Sequence, residues 1–138
     1  VKSVLDLRDF PGDPVQDMIV HDFEEIKNDP DVQIVVETMG GVHPAYEFVK
    51  ASLESGKSVS TSNKALVAAY GPELLEIAQE HNVNFLFEAS VGGGIPIIRP
   101  LKISLAPDEI LEISGILNGT TNYILTEMTN NGSAFDTV

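Results

Sequence analysis

Residues 33–68, QIVVETMGGVHPAYEFVKASLESGKSVSTSNKALVA, alternate between strand and helix patterns. The first six residues form a short, nearly continuous apolar run, which is typical of a strand covered on both faces. Residues 44–55 then carry apolar side chains at helical spacing, and Gly56 stands where a C-terminal cap belongs. Residues 57–61 predict a second strand. Strand, helix, strand units with such short links predict a mainly parallel sheet with right-handed crossovers.

The alternation continues on both sides of this stretch. We predict a helix over residues 63–81, broken near Gly71 and Pro72 because glycine and proline disfavour a helix interior. Further strands are predicted at residues 1–7, 84–88 and 110–116, and further helices at residues 96–105 and 120–128. The predicted fold class is therefore α/β, with a doubly wound parallel sheet at its centre.

The composition limits the classes of protein and partner. A chain of 138 residues with 43% hydrophobic residues is long enough for a core. A net charge of −13 would repel nucleic acid, so no nucleic-acid partner is expected. The absence of cysteine excludes disulfides, thiolate metal ligands and a cysteine nucleophile. Since no apolar run approaches the length that spans a membrane, we expect a cytoplasmic protein without a membrane partner.

Small or polar residues follow five of the predicted strands, at the edge where parallel sheets bind ligands. They are Asp6, Arg8 and Asp9, then residues 39–41, 62–64, 89–94 and 118–121. Each link alone has a simpler interpretation, because glycines after strands are commonly turns and a single lysine is commonly a solvated surface residue. The five links together indicate a ligand cleft.

Four segments, in this order and spacing, show a family resemblance. They are SNKALVA (62–68), GPELLEIA (71–78), FLFEASVGGGIPIIRPL (85–101) and GILNGTTNYIL (115–125). Together they resemble homoserine dehydrogenases, which implies NAD(P)-dependent interconversion of L-homoserine and L-aspartate 4-semialdehyde in threonine, isoleucine and methionine biosynthesis. The resemblance also implies that residues 1–100 form a partial NAD(P)-binding domain of Rossmann type. Residues 101–138 would then open an α+β domain for substrate binding and dimerisation.

The resemblance implies one catalytic residue within the chain, Lys64. In the family this lysine lies at the nicotinamide and substrate end of the cleft, so Asn63 and Lys64 are both expected to contact the cofactor. Oxidation of an alcohol by hydride transfer requires the hydroxyl proton to leave, and a lysine amine could accept it. Lys64 could instead act as a fixed charge or donor to the substrate. The sequence leaves both roles open.

Further cofactor contacts are expected after two of the predicted strands. Met39 and Gly40 would line the cofactor, since glycine allows close approach of the backbone. Arg8 could pair with the 2′-phosphate of NADP, because a guanidinium matches phosphate geometry. Asp6, in contrast, is the kind of residue that favours NAD. The predicted cofactor is therefore NADP or NAD.

The loop EASVGGGIP, residues 88–96, suggests a different kind of site. In an extended segment the carbonyls of residues 91, 93 and 95 would point to one side, and Glu88 adds a carboxylate. Such an all-oxygen set suits a hard cation. The resemblance implies a structural monovalent cation, typically sodium (Na⁺), at Glu88, Val91, Gly93 and Ile95. The alternative is a glycine turn in which Glu88 is hydrogen-bonded to the backbone.

The segment NGTT, residues 118–121, predicts a helix N-terminus capped by Asn118 or Thr120. Free backbone amides at such a terminus would favour a carboxylate. The resemblance implies that Gly119 and Thr120 lie against the bound amino acid.

The family's glycine-rich turn and its second catalytic lysine are expected outside these 138 residues. The chain by itself is therefore expected to be inactive. Since members of the family are commonly dimers, the resemblance also implies a homo-oligomer. Two other interpretations are weaker. One is an oxidoreductase of the glucose-fructose oxidoreductase type, in which the corresponding lysine follows Glu and precedes Pro. The other is a non-catalytic oligomerisation or binding module that keeps the fold.

Overall fold

Short parallel strands form two sheets in the computed structural model, which describes residues 1–138. The first sheet pairs β1 (Val4–Leu5) with β2 (Ile19–Val20). The second sheet, in the order β3-β4-β5, contains β3 (Ile34–Glu37), β4 (Ser58–Thr61) and β5 (Phe85–Leu86). The predicted α/β class with parallel pairing is confirmed. The strand at residues 1–7 is much shorter than predicted, and β2 was not predicted because two residues show no periodicity.

Helices follow the strands in the first of two compact units, Val1–Arg99. They are α1 (Phe23–Lys27), α2 (Ala45–Glu54), α3 (Lys64–Glu80) and the single turn α4 (Ala89–Gly92). Helices α2 and α3 pack against each other, and their buried faces form a core with the second sheet. The side chains of Val49, Leu53, Val59, Leu66 and Leu74 are completely or almost completely buried. Burial of each one contributes on the order of 2 kcal/mol, so this core holds the carboxyl ends of β3 and β4 in place.

Helix α3 is continuous from Lys64 to Glu80, so the predicted break near Gly71 and Pro72 is wrong. Proline removes one backbone donor and disfavours a helix interior. Leu66 before the proline and Leu74 after it are both fully buried. Tertiary packing on both sides therefore outweighs the local preference.

One face of the second sheet is not covered. Val59 and Phe85 point towards the helices and are buried, whereas Ile34, Val36 and Leu86 are 66%, 67% and 59% exposed. Alternate strand residues lie on opposite faces, and the parallel register puts these three exposed side chains on the same face. The expectation of a strand covered on both faces is therefore not met within these 138 residues.

The second compact unit, Pro100–Val138, contains α5 (Gly119–Asn131). The predicted strand at residues 110–116 is wrong, because a strand needs a hydrogen-bonded neighbour and no segment of this chain pairs with it. The helix predicted at residues 96–105 is reduced to residues 98–104, where Pro100 removes a backbone donor. No helix in the chain is both long and apolar enough to cross a membrane.

Candidate functional site

A buried carboxylate joins the carboxyl ends of β3 and β4. Glu37 ends β3, is only 5% exposed, and lies opposite Thr61 in the parallel register. Its Oε1 accepts a hydrogen bond from the Met39 backbone amide at 2.5 Å, and its Oε2 accepts one from the Thr61 hydroxyl. The Thr61 Oγ1 in turn accepts from the Asn63 backbone amide at 2.9 Å. These bonds connect the segments that follow two neighbouring strands.

Asn63 is the N-cap of α3 and the bridge to the loop after β3. Its Oδ1 accepts from the Leu66 backbone amide at 3.1 Å, which caps the helix. Its Nδ2 donates to the backbone carbonyl of Gly41 at 2.6 Å. Of the residues predicted to contact the cofactor, Asn63 and Lys64 at the start of α3 are thereby joined to the loop at residues 39–41.

The edge formed by this loop and the start of α3 is open to a polar ligand. The Lys64 side chain is exposed and takes part in none of the ion pairs of the chain. It projects from the first turn of a 17-residue helix, where free backbone amides also attract negative charge. Gly41 has φ +78°, a left-handed conformation that favours glycine. An added Cβ at Gly40 would meet nothing within 4 Å, so the loop surface is unobstructed there.

Arg8, the predicted phosphate ligand, is paired with Asp6. Its side-chain Nε and Nη2 donate to Oδ1 and Oδ2 of Asp6, and its backbone amide donates to Oδ1 at 2.9 Å. The hydrogen bonds from the Arg8 side chain, and then that from its backbone, lower the pKa of the Asp6 carboxyl to about 2. The two residues predicted to favour NADP and NAD are therefore in direct contact with each other.

Asp6, Arg8 and Met39 line one cavity of about 460 Å³. His21 also lines it, and its Nδ1 lies 2.7 Å from the backbone carbonyl of Asp6. That carbonyl, opposed by partial desolvation, raises the pKa of the His21 imidazole. Phe48 of α2 closes part of the wall. The cavity thus has an apolar wall and an exposed charged rim, which suits a ligand with an apolar ring and polar substituents.

The predicted cation ligands do not form the expected set. Residues 89–92 are the helical turn α4 rather than an extended segment, so the alternation argument for Val91, Gly93 and Ile95 fails. The Glu88 carboxylate accepts hydrogen bonds from the backbone amides of residues 97, 98 and 99. Desolvation opposes ionisation of Glu88, but these amides outweigh it and lower its pKa. Because the Glu88 carboxylate already accepts three backbone amides and residues 89–92 are helical, the structure agrees with the alternative of a turn in which Glu88 is hydrogen-bonded to the backbone, and does not support the predicted cation.

Gly119 and Thr120 open α5 in the second unit and are exposed. Asn118 caps this helix through a hydrogen bond from the Thr121 backbone amide to its Oδ1 at 2.9 Å. The predicted helix N-terminus and the cap by Asn118 are confirmed. The contact of Gly119 and Thr120 with a substrate remains a prediction.

Family models match most of the chain. The model described as the NAD binding domain of homoserine dehydrogenase matches residues 4–88, and the model described as homoserine dehydrogenase matches residues 96–138. The chain belongs to the homoserine dehydrogenase family. The resemblance in the four sequence segments is thereby confirmed.

The chain is also similar in sequence and structure to individual homoserine dehydrogenases. That of Synechocystis sp. is 52% identical over 122 residues, which are 88% of this chain and 28% of that protein. A solved homoserine dehydrogenase from Thiobacillus denitrificans has a TM-score of 0.81 at 46% identity, over 86% of this chain and 27% of that one. A hyperthermophilic archaeal homoserine dehydrogenase in complex with NADPH has a TM-score of 0.75 at 35% identity, over 83% of this chain and 35% of that one. This chain spans about 24–28% of the length of the curated homoserine dehydrogenases it matches.

Sequence reasoning missed Glu37 and Thr61, although both lie beside residues assigned from the family. The available signal was an acidic residue at the end of an apolar strand, followed by a glycine-containing loop. A charged residue in a position expected to be buried requires a partner. That partner, Thr61, is 24 residues further along the chain and becomes adjacent only when β3 and β4 pair.

Proposed function

We propose that the protein carrying this chain is an NAD(P)-dependent homoserine dehydrogenase, which interconverts L-homoserine and L-aspartate 4-semialdehyde. The main support is that family models of homoserine dehydrogenase match residues 4–88 and 96–138, and the position of the site is supported by the bridge from the Asn63 Nδ2 to the Gly41 carbonyl at 2.6 Å. This bridge joins the start of α3, with its exposed lysine, to the loop expected to line the cofactor. Carboxyl ends of parallel strands are where dinucleotide-binding folds hold their ligands.

Lys64 is the proposed catalytic residue of this part of the enzyme. When bound, the nicotinamide supplies the acceptor for the hydride that leaves the alcohol carbon. The hydroxyl proton of the substrate must leave in the same reaction, and the Lys64 amine either accepts that proton or stabilises the oxygen as a fixed charge. Its exposure and its lack of a carboxylate partner leave the amine available for both roles.

The proposed cofactor contacts are Met39, Gly40, Asn63 and Lys64 at the sheet edge, with Arg8 at the rim of the cavity. The hydrogen bonds to Asp6 occupy Nε and Nη2 of Arg8, so further guanidinium protons remain available to a 2′-phosphate. The Arg8 side chain is 75% exposed and accessible to such a ligand. We therefore favour NADP over NAD, in agreement with the NADPH complex of the archaeal relative.

The remaining assignments concern the substrate and the domains. Gly119 and Thr120 are proposed to face the amino-acid substrate, since they begin a 13-residue helix with free backbone amides. Residues 1–100 are proposed to be part of the NAD(P)-binding domain, and residues 101–138 the start of the substrate and dimerisation domain. A homo-oligomer is proposed for the complete protein because the family resemblance implies a dimer, and the uncovered apolar side chains of the sheet favour self-association of the 138-residue chain by itself. No cation is proposed at Glu88.

The direct test is an assay of the complete gene product with L-homoserine and either NADP or NAD, following the absorbance of the reduced nicotinamide. Homoserine-dependent reduction supports the proposal, and its absence with both cofactors refutes it. Glucose in place of homoserine is the matched control, because turnover with glucose alone would favour an enzyme of the glucose-fructose oxidoreductase type.

A further inference from the structure

The Glu37 carboxylate has no part in the reaction proposed above, although it is buried at the end of β3. We propose that Glu37, acting through Thr61, is a positioning residue that determines where Lys64 stands relative to the loop at residues 39–41. The inference rests on the proposed function, because it assumes that Lys64 and this loop act on one cofactor and substrate pair.

The hydrogen bonds of this group have a defined direction. An ionised carboxylate only accepts, whereas a threonine hydroxyl has one proton and two lone pairs. The Thr61 proton is therefore donated to Glu37, which leaves the hydroxyl oxygen free to accept the Asn63 backbone amide. If an amide side chain replaced the carboxylate, its donor could face Thr61 and the hydroxyl would lose this acceptor.

These hydrogen bonds also form a closed circuit, which joins Glu37, Thr61 and Asn63 to the loop at residues 39–41. From Glu37 one branch runs to the Met39 backbone amide, and the other runs through Thr61 to Asn63. The Asn63 side chain then donates to Gly41, two residues beyond Met39, which completes the circuit. The loop at residues 39–41 and the start of α3 are thus held at two points rather than one.

The circuit also fixes the position of the backbone at Lys64, the residue that follows Asn63. Lys64 comes immediately after Asn63, whose backbone amide and side chain are both fixed by the circuit. Misplacement of a reacting group by about 1 Å can lower the rate on the order of a hundredfold. The position of the Lys64 backbone is therefore sensitive to Glu37, although the two side chains form no hydrogen bond with each other.

A role confined to stability explains this arrangement poorly. Taking a carboxylate out of water is unfavourable, and apolar side chains of similar volume often stabilise a core at least as well as buried charged groups. Glu37 is the only buried acidic side chain of the chain, and it lies beside an apolar cluster that includes Val59, two residues before Thr61 on the same face of β4. A carboxylate at this one point, bonded to the two segments that follow β3 and β4, indicates precise positioning of those segments.

The test compares two substitutions at Thr61 in the complete gene product, with rates expressed per active site. Thr61→Val keeps the shape but removes the hydroxyl, and we expect it to lower kcat at least about tenfold and to raise the KM for NADP. Thr61→Ser keeps the hydroxyl and should restore both values to near wild type. Ser52→Ala is the matched control, because Ser52 is also fully buried and donates to the Phe48 carbonyl within α2, outside the circuit.

Glu37→Gln provides a second variant if Thr61→Val does not fold, since it is close in shape to glutamate and alters the direction of the hydrogen bonds. Losses in kcat and in apparent NADP affinity in either variant, with Thr61→Ser and Ser52→Ala near wild type, support the inference. Wild-type kcat per active site and KM in the folded variants would overturn it, even if their thermal stability were lower.

The proposed function is tested separately from the positioning role, by measuring homoserine oxidation with the wild-type protein. If wild type does not oxidise homoserine, the Kd for NADPH decides the inference. A tenfold weaker Kd in Thr61→Val or Glu37→Gln, restored in Thr61→Ser, would support a positioning role towards the cofactor. Equal Kd values, or no NADPH binding by wild type, would overturn it.

Discussion

The Arg8 side chain donates to both carboxylate oxygens of Asp6, from Nε to Oδ1 and from Nη2 to Oδ2, each at 3.0 Å. These bonds lower the pKa of Asp6 from 3.8 to about 2. A lowered folded-state pKa means that the pair stabilises the fold above the ordinary pKa and loses this contribution as the pH falls towards 2. We expect an NMR titration of Asp6 to show the low midpoint, and Arg8→Leu to raise it. An unchanged midpoint in Arg8→Leu would contradict the pairing.

Arg8 should also affect the choice of cofactor. If the Arg8 guanidinium binds the 2′-phosphate, Arg8→Ala in the complete gene product will weaken the binding of NADP much more than the binding of NAD. The lost charge-assisted bond corresponds to about 1.5–3 kcal/mol, or on the order of tenfold to a hundredfold in KM for NADP. The KM for NAD, measured on the same preparation, is the internal control. Equal changes in both values would exclude Arg8 from phosphate binding.

Lys64 is expected to be essential for turnover. Because a positioned proton-transfer group contributes about two to four powers of ten in rate, Lys64→Ala should lower kcat at least about a hundredfold. The Kd of the cofactor, measured by fluorescence of NADPH, should change only modestly. Lys27→Ala is the control, since that lysine is on α1 and pairs with Glu24. Near-normal turnover in Lys64→Ala would remove Lys64 from the mechanism.

Lys57 should be important for stability rather than activity. It is only 5% exposed, and its ammonium donates to the backbone carbonyls of Asp29 at 2.7 Å and Val32 at 2.9 Å. Lys57→Met keeps the apolar stem but leaves these carbonyls without a donor, which should lower the free energy of unfolding by about 1–3 kcal/mol. Urea denaturation of the complete gene product measures the change, with kcat per active site unaffected. If the free energy of unfolding of Lys57→Met equalled or exceeded that of wild type, the buried charge of Lys57 would not be needed for the stability of the fold.

The 138-residue chain by itself should be inactive and should self-associate. Since it spans about 24–28% of the length of its relatives, we expect no NADP reduction with homoserine and a cofactor Kd no better than about millimolar. Ile34 and Val36 expose apolar surface on the sheet, which favours association. Sedimentation velocity should show oligomers that decrease in the double variant Ile34→Lys, Val36→Lys. A strictly monomeric wild-type chain, or turnover by it, would contradict this prediction.

The sequence alone was sufficient for the elements whose signals are local. Strand β3, helix α2, strand β4 and the start of helix α3 follow from periodicity and from turn residues at their ends. The cap of α5 by Asn118 is equally local, because its hydrogen bond reaches only three residues along the chain. The edge of the sheet that carries the candidate site could therefore be predicted without a structure.

Tertiary structure decided the features that depend on distant partners. Residues 110–116 have the alternation of a strand but no neighbour to pair with, and α3 passes through Pro72 because Leu66 and Leu74 are buried on either side. The circuit around Glu37 also required the fold. Its central hydrogen bond joins residues 24 apart in sequence, and only the parallel pairing of β3 with β4 brings the carboxylate and the Thr61 hydroxyl together.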